Sequence, residues 1–324
     1  MRIAICGDGI GGRILYRILN MRGLYVDLYG KVKHTKCMIR PCGFGTNAFC
    51  IDLLDKLGIS PKEYVLRHDK RIIMSSRRIK GDLYWIDKPK LLTVITDHVR
   101  YDKPNIDDYD VVVDATGIDR AYSPLVSKFY EKIATCYQHR ITVANYVDPT
   151  FDVIKGGYIW VIPLGEKEVH VGGGSTMLPT RDVEQLLINH VQEMKPNEIM
   201  CSCSESLRLS GPISPFVSDK FVTIGESAGL VIPFGGAGIQ TAVESAMILA
   251  DQIPEGTLMA YDEAIRRRFG WLHAVRKIVD RLEEGRVTLY SLGTVHRALR
   301  YQGLKLSLKD LLHVRKKLIE VTHK

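Results

Sequence analysis

The sequence predicts an α/β fold with a β-rich middle and a basic, helical C-terminal segment. Three features carry that reading: a strand, glycine turn, helix and strand at the start of the chain; a later strand that runs into a glycine-rich helix start near residue 225; and strand-like alternation between them. At 324 residues the chain can bury a substantial core, and its length admits two joined domains. Hydrophobic residues make up 45% and charged residues 25%, ordinary values for a folded globular protein, so a disordered chain is excluded.

Residues 2–6, RIAIC, form an apolar run that stops at Gly7, ILYRILNMRG has helical spacing up to Gly23, and LYVDLYG reads as a second strand. Parallel strands need a crossover, so this is a βαβ unit. In it Gly7, Gly9 and Gly12 supply a tight turn, a close approach of backbone to a pyrophosphate and close helix packing, with the helix N-terminus facing the phosphates. A glycine-rich turn without a ligand is the other reading. The acidic residue that would hold a ribose falls near Gly30, which has no side chain, and Asp27 lies inside the strand. Further on, Val111 to Val113 make an apolar strand that breaks at Asp114-Ala115-Thr116-Gly117. Small residues there let the loop pass close to a ligand at the carboxyl end of a sheet, or merely let the strand exit.

The middle alternates. KGGYIWVIPLGEKEVHVGGG predicts a β-hairpin about a Gly-Glu-Lys-Glu turn, with Tyr158 and Trp160 on one face of its first strand, in a core or along a pocket. From Asp219, DKFVTIGESAGL returns to a strand meeting glycine, followed by VIPFGGAGI and the helix QTAVESAMILADQI. Each glycine there costs backbone entropy, and a glycine-lined helix N-terminus is a site for an anion or a carbonyl-rich ring. Two such segments suit one long ligand with an end at each.

Residues 261–324 hold 15 Lys/Arg against 7 Asp/Glu, which accounts for the whole net charge of +8. This excess fits an anionic partner or a solvated helical face. Ile265, Phe269, Leu272, Val275, Val279 and Leu282 follow helical spacing, so the stripe either docks on anionic lipid or packs on the substrate domain, with Arg266, Arg267, Arg276, Lys277 and Arg281 mostly elsewhere. No aromatic platform or nucleic-acid motif accompanies the charge, and nucleic acid is not an expected partner. No run reaches the length of a bilayer-spanning helix and Met1-Arg2 leads straight into a strand, so the expected location is cytoplasmic or at a membrane surface. Seven unpaired-looking cysteines are expected as thiols, His170 and His190 stand alone, and no metal site is expected.

Together GDGIGG, DATG and GESAGLVIPFGGAGI resemble the three flavin-contacting segments of the FAD fold of the glutathione-reductase, para-hydroxybenzoate-hydroxylase-like type. That fold is a Rossmann-like domain with an inserted β-rich (α+β) substrate domain. More narrowly, IRPCGFG at 39–45 and GGYIWVIP at 156–163 make the chain similar to the geranylgeranyl reductase family, with its Cys-Gly motif after a basic residue and its Tyr-x-Trp-x-Phe-Pro motif, Ile162 replacing the Phe. On this basis residues 1–60, 105–120 and 205–260 are expected as the FAD-binding domain, 61–104 and 121–204 as the substrate domain, and 261–324 as the helical segment. The resemblance implies that Gly7, Gly9 and Gly12 contact the FAD pyrophosphate, that Arg40 lies near the flavin or phosphates, and that Ala115 and Gly117 adjoin the cofactor. Gly225 and Glu226 would stand beside the ribityl chain, Glu226 replacing the usual Asp, while Gly235, Gly236, Gly238 and Ile239 bring backbone amides near the ring. Cys42 would face the reaction centre, and Tyr158, Trp160 and Pro163 would wall a prenyl pocket. Gly30, Glu226 and a shortened stretch between residues 80 and 110 depart from the family pattern and imply weakened flavin binding.

The implied activity is FAD-dependent saturation of carbon–carbon double bonds in a geranylgeranyl chain of an isoprenoid or prenyl lipid, in lipid biosynthesis. Such a reaction needs a hydride donor, a proton source and a dry pocket. Cys42 or a water near it is expected to supply the proton; a buried thiol without chemistry is the alternative. The sequence has no separate nicotinamide-binding βαβ unit, so electrons come from an external donor. A flavin-dependent hydroxylase of the same fold and a non-catalytic protein that binds a lipid or partner are the rival functions.

Overall fold

The structure is a computed structural model that describes residues 1–32, 42–124, 130–286 and 289–322. It opens with the expected unit: β1 (Arg2–Cys6), α1 (Ile10–Met21) and β2 (Tyr25–Tyr29), with β1 and β2 parallel. β3 (Gly45–Asn47) leads directly into α2 (Ala48–Lys56), whose start is fixed by the Asn47 side chain accepting the Cys50 amide at 3.0 Å. β4 (Val65–Met74) and β5 (Arg77–Ile86) pair antiparallel, then come α3 (Lys88–Ile95) and β6 (Val111–Asp114). The middle contains β7 (Ile133–Thr142), β8 (Thr150–Ile154), β9 (Gly157–Pro163), β10 (Glu168–Ser175), α4 (Thr180–Glu193) and β11 (Glu198–Arg208). β9 and β10 are the hairpin read from the sequence. After β12 (Val217–Ser218) and β13 (Phe221–Thr223) the chain turns helical, with α5 (Ile239–Gln252), α6 (Leu258–Phe269), α7 (Trp271–Glu283) and α8 (Leu289–Tyr301), then β14 (Leu304–Lys305) and α9 (Leu308–Thr322).

Two sheets organise these elements. The smaller runs β12-β13-β6-β1-β2, parallel except at β12, and its apolar strands are covered by α1 and α5, which pack on each other. The larger runs β11-β7-β10-β9-β8-β4-β5-β14, with β3 also on β5. This is the mixed α/β architecture predicted, with one addition: the C-terminal segment contributes β14 to the larger sheet, where Leu304 pairs with Gly81.

The apolar stripe of α6 and α7 is buried at Ile265, Phe269, Leu272, Val275 and Leu282. Its first part sits against the smaller sheet, where the Tyr261 hydroxyl donates to the Thr223 carbonyl at 2.7 Å, and Asp280 of α7 takes the Lys132 ammonium at 2.9 Å beside β7. Arg276 departs from the expectation of a solvent-facing charge. It is only 6% exposed, ion-paired with Asp280 and covered by the Tyr130 ring. Cys201 is disulfide-bonded, correcting the expectation of thiols throughout, whereas Cys6, Cys42, Cys50, Cys136 and Cys203 are free. Among the described residues no helix is long and apolar enough to cross a membrane.

Candidate active site

A single cavity of about 490 Å³ brings the remote glycine segments together. Gly9 and Gly12 at the start of α1, Ala115 and Gly117 after β6, Gly225 and Glu226 after β13, and Gly235, Gly236, Gly238 and Ile239 at the start of α5 all line it. So do Cys42, Tyr158 and Trp160. Gly7 and Pro163 are not among the lining residues, and Arg40 lies outside the described residues.

The first glycine cluster divides its labour by space. A Cβ on Gly7 would lie 2.1 Å from the Ala115 carbonyl oxygen, and one on Gly12 would lie 1.9 Å from the Gly7 carbonyl oxygen, so both glycines are demanded by packing of α1 against the strand ends. A Cβ on Gly9 would meet nothing within 4 Å. The bare backbone there borders the cavity, at a helix N-terminus suited to a phosphate. Asp114, fully buried, fixes the neighbouring loop by accepting from the Thr116 hydroxyl at 2.6 Å and from the amides of Tyr122 and Ser123 at 2.8 and 2.9 Å. At Gly30 a Cβ would come 2.8 Å from Cγ of Asp8. The carboxyl of Asp8, paired with Arg13 at 3.5 Å, thus occupies the space in which an acidic side chain at position 30 would start.

The second cluster is held tightly. The Gly236 amide donates to the Ile232 carbonyl at 3.0 Å, so it is committed within the turn rather than aimed at a ligand. Glu226 accepts the Arg208 amide at 2.9 Å and thereby ties the turn after β13 to the end of β11. From the larger sheet the Tyr158 hydroxyl donates to the Gly235 carbonyl at 2.6 Å. Trp160 donates from Nε1 to Gln138 Oε1 at 3.2 Å, and its indole fills the space above Gly172, where a Cβ would be 2.3 Å from the ring. Gly172, in the glycine run of β10, therefore makes room for Trp160, and Gly174 makes room for Cys136, whose Sγ would lie 2.8 Å from a Cβ there; the VGGG in the sequence was not read as such a signal.

Cys42 is half-buried on the cavity wall. Its neighbour Phe44 packs edge-on against His170, with ring centroids 4.7 Å apart. Burial pushes the His170 imidazole down to about 3, with Arg140 adding to the effect, so it is neutral. Cys136, also on the wall, has its thiol pushed up to about 12 by burial and then by Glu226 and Cys42. It stays protonated and can donate a hydrogen bond. Sequence reasoning missed Cys136, and it missed the far wall: Val279 and Leu282 of α7, Tyr301 and Gln302, and Leu318 and Val321 of α9 close the cavity. Their linear distance from the motifs hid them. Among the described residues no group of three or more His, Cys, Asp or Glu could hold a metal ion.

No family model matches the chain. It is 26% identical to an uncharacterized protein of Methanocaldococcus jannaschii over 96% of its own length and 100% of that protein. It is 28% identical to digeranylgeranylglycerophospholipid reductase 1 of Methanococcoides burtonii, over 48% of this chain and 41% of the reductase, so the match spans less than half of that relative. Among solved structures, a geranylgeranyl bacteriochlorophyll reductase-like protein from Thermoplasma acidophilum superposes with a TM-score of 0.73 at 19% identity, covering 98% of this chain and 99% of that one. The p-nitrophenol 4-monooxygenase PnpA from Pseudomonas putida gives 0.68 at 13% identity over 99% and 98%. Over about half its length the chain resembles digeranylgeranylglycerophospholipid reductases in sequence, and it shares the fold of these solved structures and of a probable FAD-dependent monooxygenase from Pseudomonas aeruginosa.

Proposed function

We propose that this protein is an FAD-dependent reductase that saturates carbon–carbon double bonds of a geranylgeranyl or related isoprenoid chain in lipid biosynthesis. One observation carries the reading: the two glycine-rich helix starts and an apolar wall of Tyr158, Trp160, Leu282 and Leu318 line the same cavity. The residues fit FAD. The open side of Gly9 and the N-terminus of α1 would receive the pyrophosphate, Glu226 and Gly225 would adjoin the ribityl chain, and the turn at Gly235 with the start of α5 would face the ring. Asp8 would take the ribose role that Gly30 cannot.

Bound FAD supplies the hydride, its two electrons coming from an external donor. Tyr158 and Trp160 would hold the prenyl chain at reacting distance, and the apolar far wall would exclude water. The proton that completes saturation would come from Cys42 or from water beside it, since Cys42 is the thiol of the motif at 39–45 and lines the cavity. Exposed Leu308 and Leu312 on α9, 68% and 44% exposed, support contact with a membrane surface where such a substrate resides.

The test is anaerobic incubation of the FAD-loaded protein, chemically reduced, with a geranylgeranyl lipid, followed by mass spectrometry. The expected product gains two hydrogens per double bond. Unchanged lipid from protein that keeps its flavin reduced would count against the reading, and oxygen uptake with an aromatic substrate would favour a hydroxylase.

A further inference from the structure

The turn before α5 is held from outside by a residue of the C-terminal segment, 68 positions from Phe234. Gln302, just after α8, donates from Nε2 to the Phe234 carbonyl at 2.9 Å and to the Ala298 carbonyl at 3.0 Å. Its Oε1 lies 2.5 Å from where a Cβ on Gly235 would stand. The amide therefore rests against the bare Cα of Gly235, whose φ of +99° no ordinary side chain adopts readily. On the next peptide, Tyr158 takes the Gly235 carbonyl at 2.6 Å. Two consecutive carbonyls of one turn are thus fixed by side chains from different parts of the chain.

Gln302 is itself anchored. The Tyr301 carbonyl accepts from Asn47 Nδ2 at 2.6 Å, and the Tyr301 hydroxyl donates to Glu244 Oε1 at 2.6 Å. Glu244 is buried, and its other oxygen accepts from Arg268 at 2.6 Å. Asn47 also donates to Gln240 at 2.6 Å. A polar network therefore ties the end of α8, next to Gln302, to β3, α5 and α6, and Asn47, Gln240, Tyr301 and Gln302 all line the cavity.

We propose that Gln302 is a positioning residue that fixes the orientation of the Phe234–Gly235 peptide and, through it, the face that the turn presents to the flavin ring. The second half of this statement rests on the FAD reading above; the first does not. A carbonyl held back by Gln302 cannot swing into the cavity, and fixed dipoles beside a cofactor ring tune how tightly its oxidised and reduced forms are held. The basic C-terminal segment is then part of the cofactor site.

The experiment uses the full chain with Gln302→Met, which keeps the volume and removes the amide, and Gln302→Glu, which replaces the donor by a carboxylate facing the Phe234 carbonyl. Two readouts are taken: hydrogen exchange of residues 232–240 without flavin, and FAD affinity with the visible spectrum. Expected are exchange at least tenfold faster in that segment, FAD affinity lower by about tenfold (~1.4 kcal/mol), and a shifted flavin band, with larger effects for Glu than for Met. Unchanged exchange in both variants overturns the positioning role. Faster exchange with wild-type FAD affinity and spectrum overturns the link to the flavin. If wild-type protein binds no FAD, the functional reading and that link both fail, while exchange still decides the positioning role. Should Met destabilise the fold, Gln302→Asn, which keeps the amide on a shorter arm, must exchange faster in this segment than elsewhere, or the role is merely structural.

Discussion

The hydroxyl of Tyr158 on the larger sheet and the carbonyl of Gly235 beside the smaller one meet at 2.6 Å, so one hydrogen bond joins the proposed substrate wall to the proposed flavin turn. Burial raises the phenol well above its ordinary value, and it remains a donor across the physiological range. Tyr158→Phe keeps the ring and removes the bond. Its expected cost is about 1 kcal/mol of stability, with a several-fold loss of turnover on a prenyl lipid. Thermal unfolding and steady-state assay check both, and unchanged turnover would reduce Tyr158 to packing.

The glycine cluster near the N-terminus gives a sharper contrast. Gly12→Ala puts a methyl 1.9 Å from the Gly7 carbonyl and should cost about 3 kcal/mol or prevent folding. Gly9→Ala meets nothing within 4 Å and should fold normally, yet weaken FAD binding by about tenfold, because its methyl enters the space proposed for the pyrophosphate. Circular dichroism melts and a flavin fluorescence titration separate the two. Equal FAD affinity in Gly9→Ala and wild type would remove the pyrophosphate from this position.

Cys42→Ala tests the proton source. If the thiol is the acid, turnover falls by roughly a hundredfold or more while FAD affinity holds. Unchanged turnover would leave the role to water. Cys136→Ala, removing the neighbouring protonated thiol, is expected to act more weakly.

His170 predicts an acid-side weakness. Its folded-state value is depressed to about 3, against about 6.5 in an unfolded chain. The unfolded state therefore binds the proton first. The stability that the neutral imidazole contributes is complete above about 6.5 and is lost as pH falls toward 3, at no more than about 1.4 kcal/mol per pH unit. His170→Leu should flatten that slope in pH-dependent denaturation; the same slope in both proteins would refute this origin.

Much of the layout was legible because it rests on local signals. Periodicity and glycine stops marked the β1-α1-β2 unit, and alternation about a polar turn marked the β9-β10 hairpin. The ends of these elements carried the residues that converge on the cavity. What stayed hidden depends on contacts between remote segments. Nothing in the local sequence says that Gln302 lies on Gly235, that β14 pairs with β5, or that Arg276 is buried beneath Tyr130. Asp8 was visible beside the glycines, but its use of the space at Gly30 emerges only when the βαβ unit is folded.

The central claim is that both glycine clusters serve one FAD. Its most direct test is the visible absorption spectrum of the purified protein, titrated with FAD where it emerges colourless, with any released cofactor identified after denaturation. The account predicts a flavin spectrum, bound at one FAD per chain and weakened in Gly9→Ala. Protein that stays colourless and takes up no added FAD would contradict it.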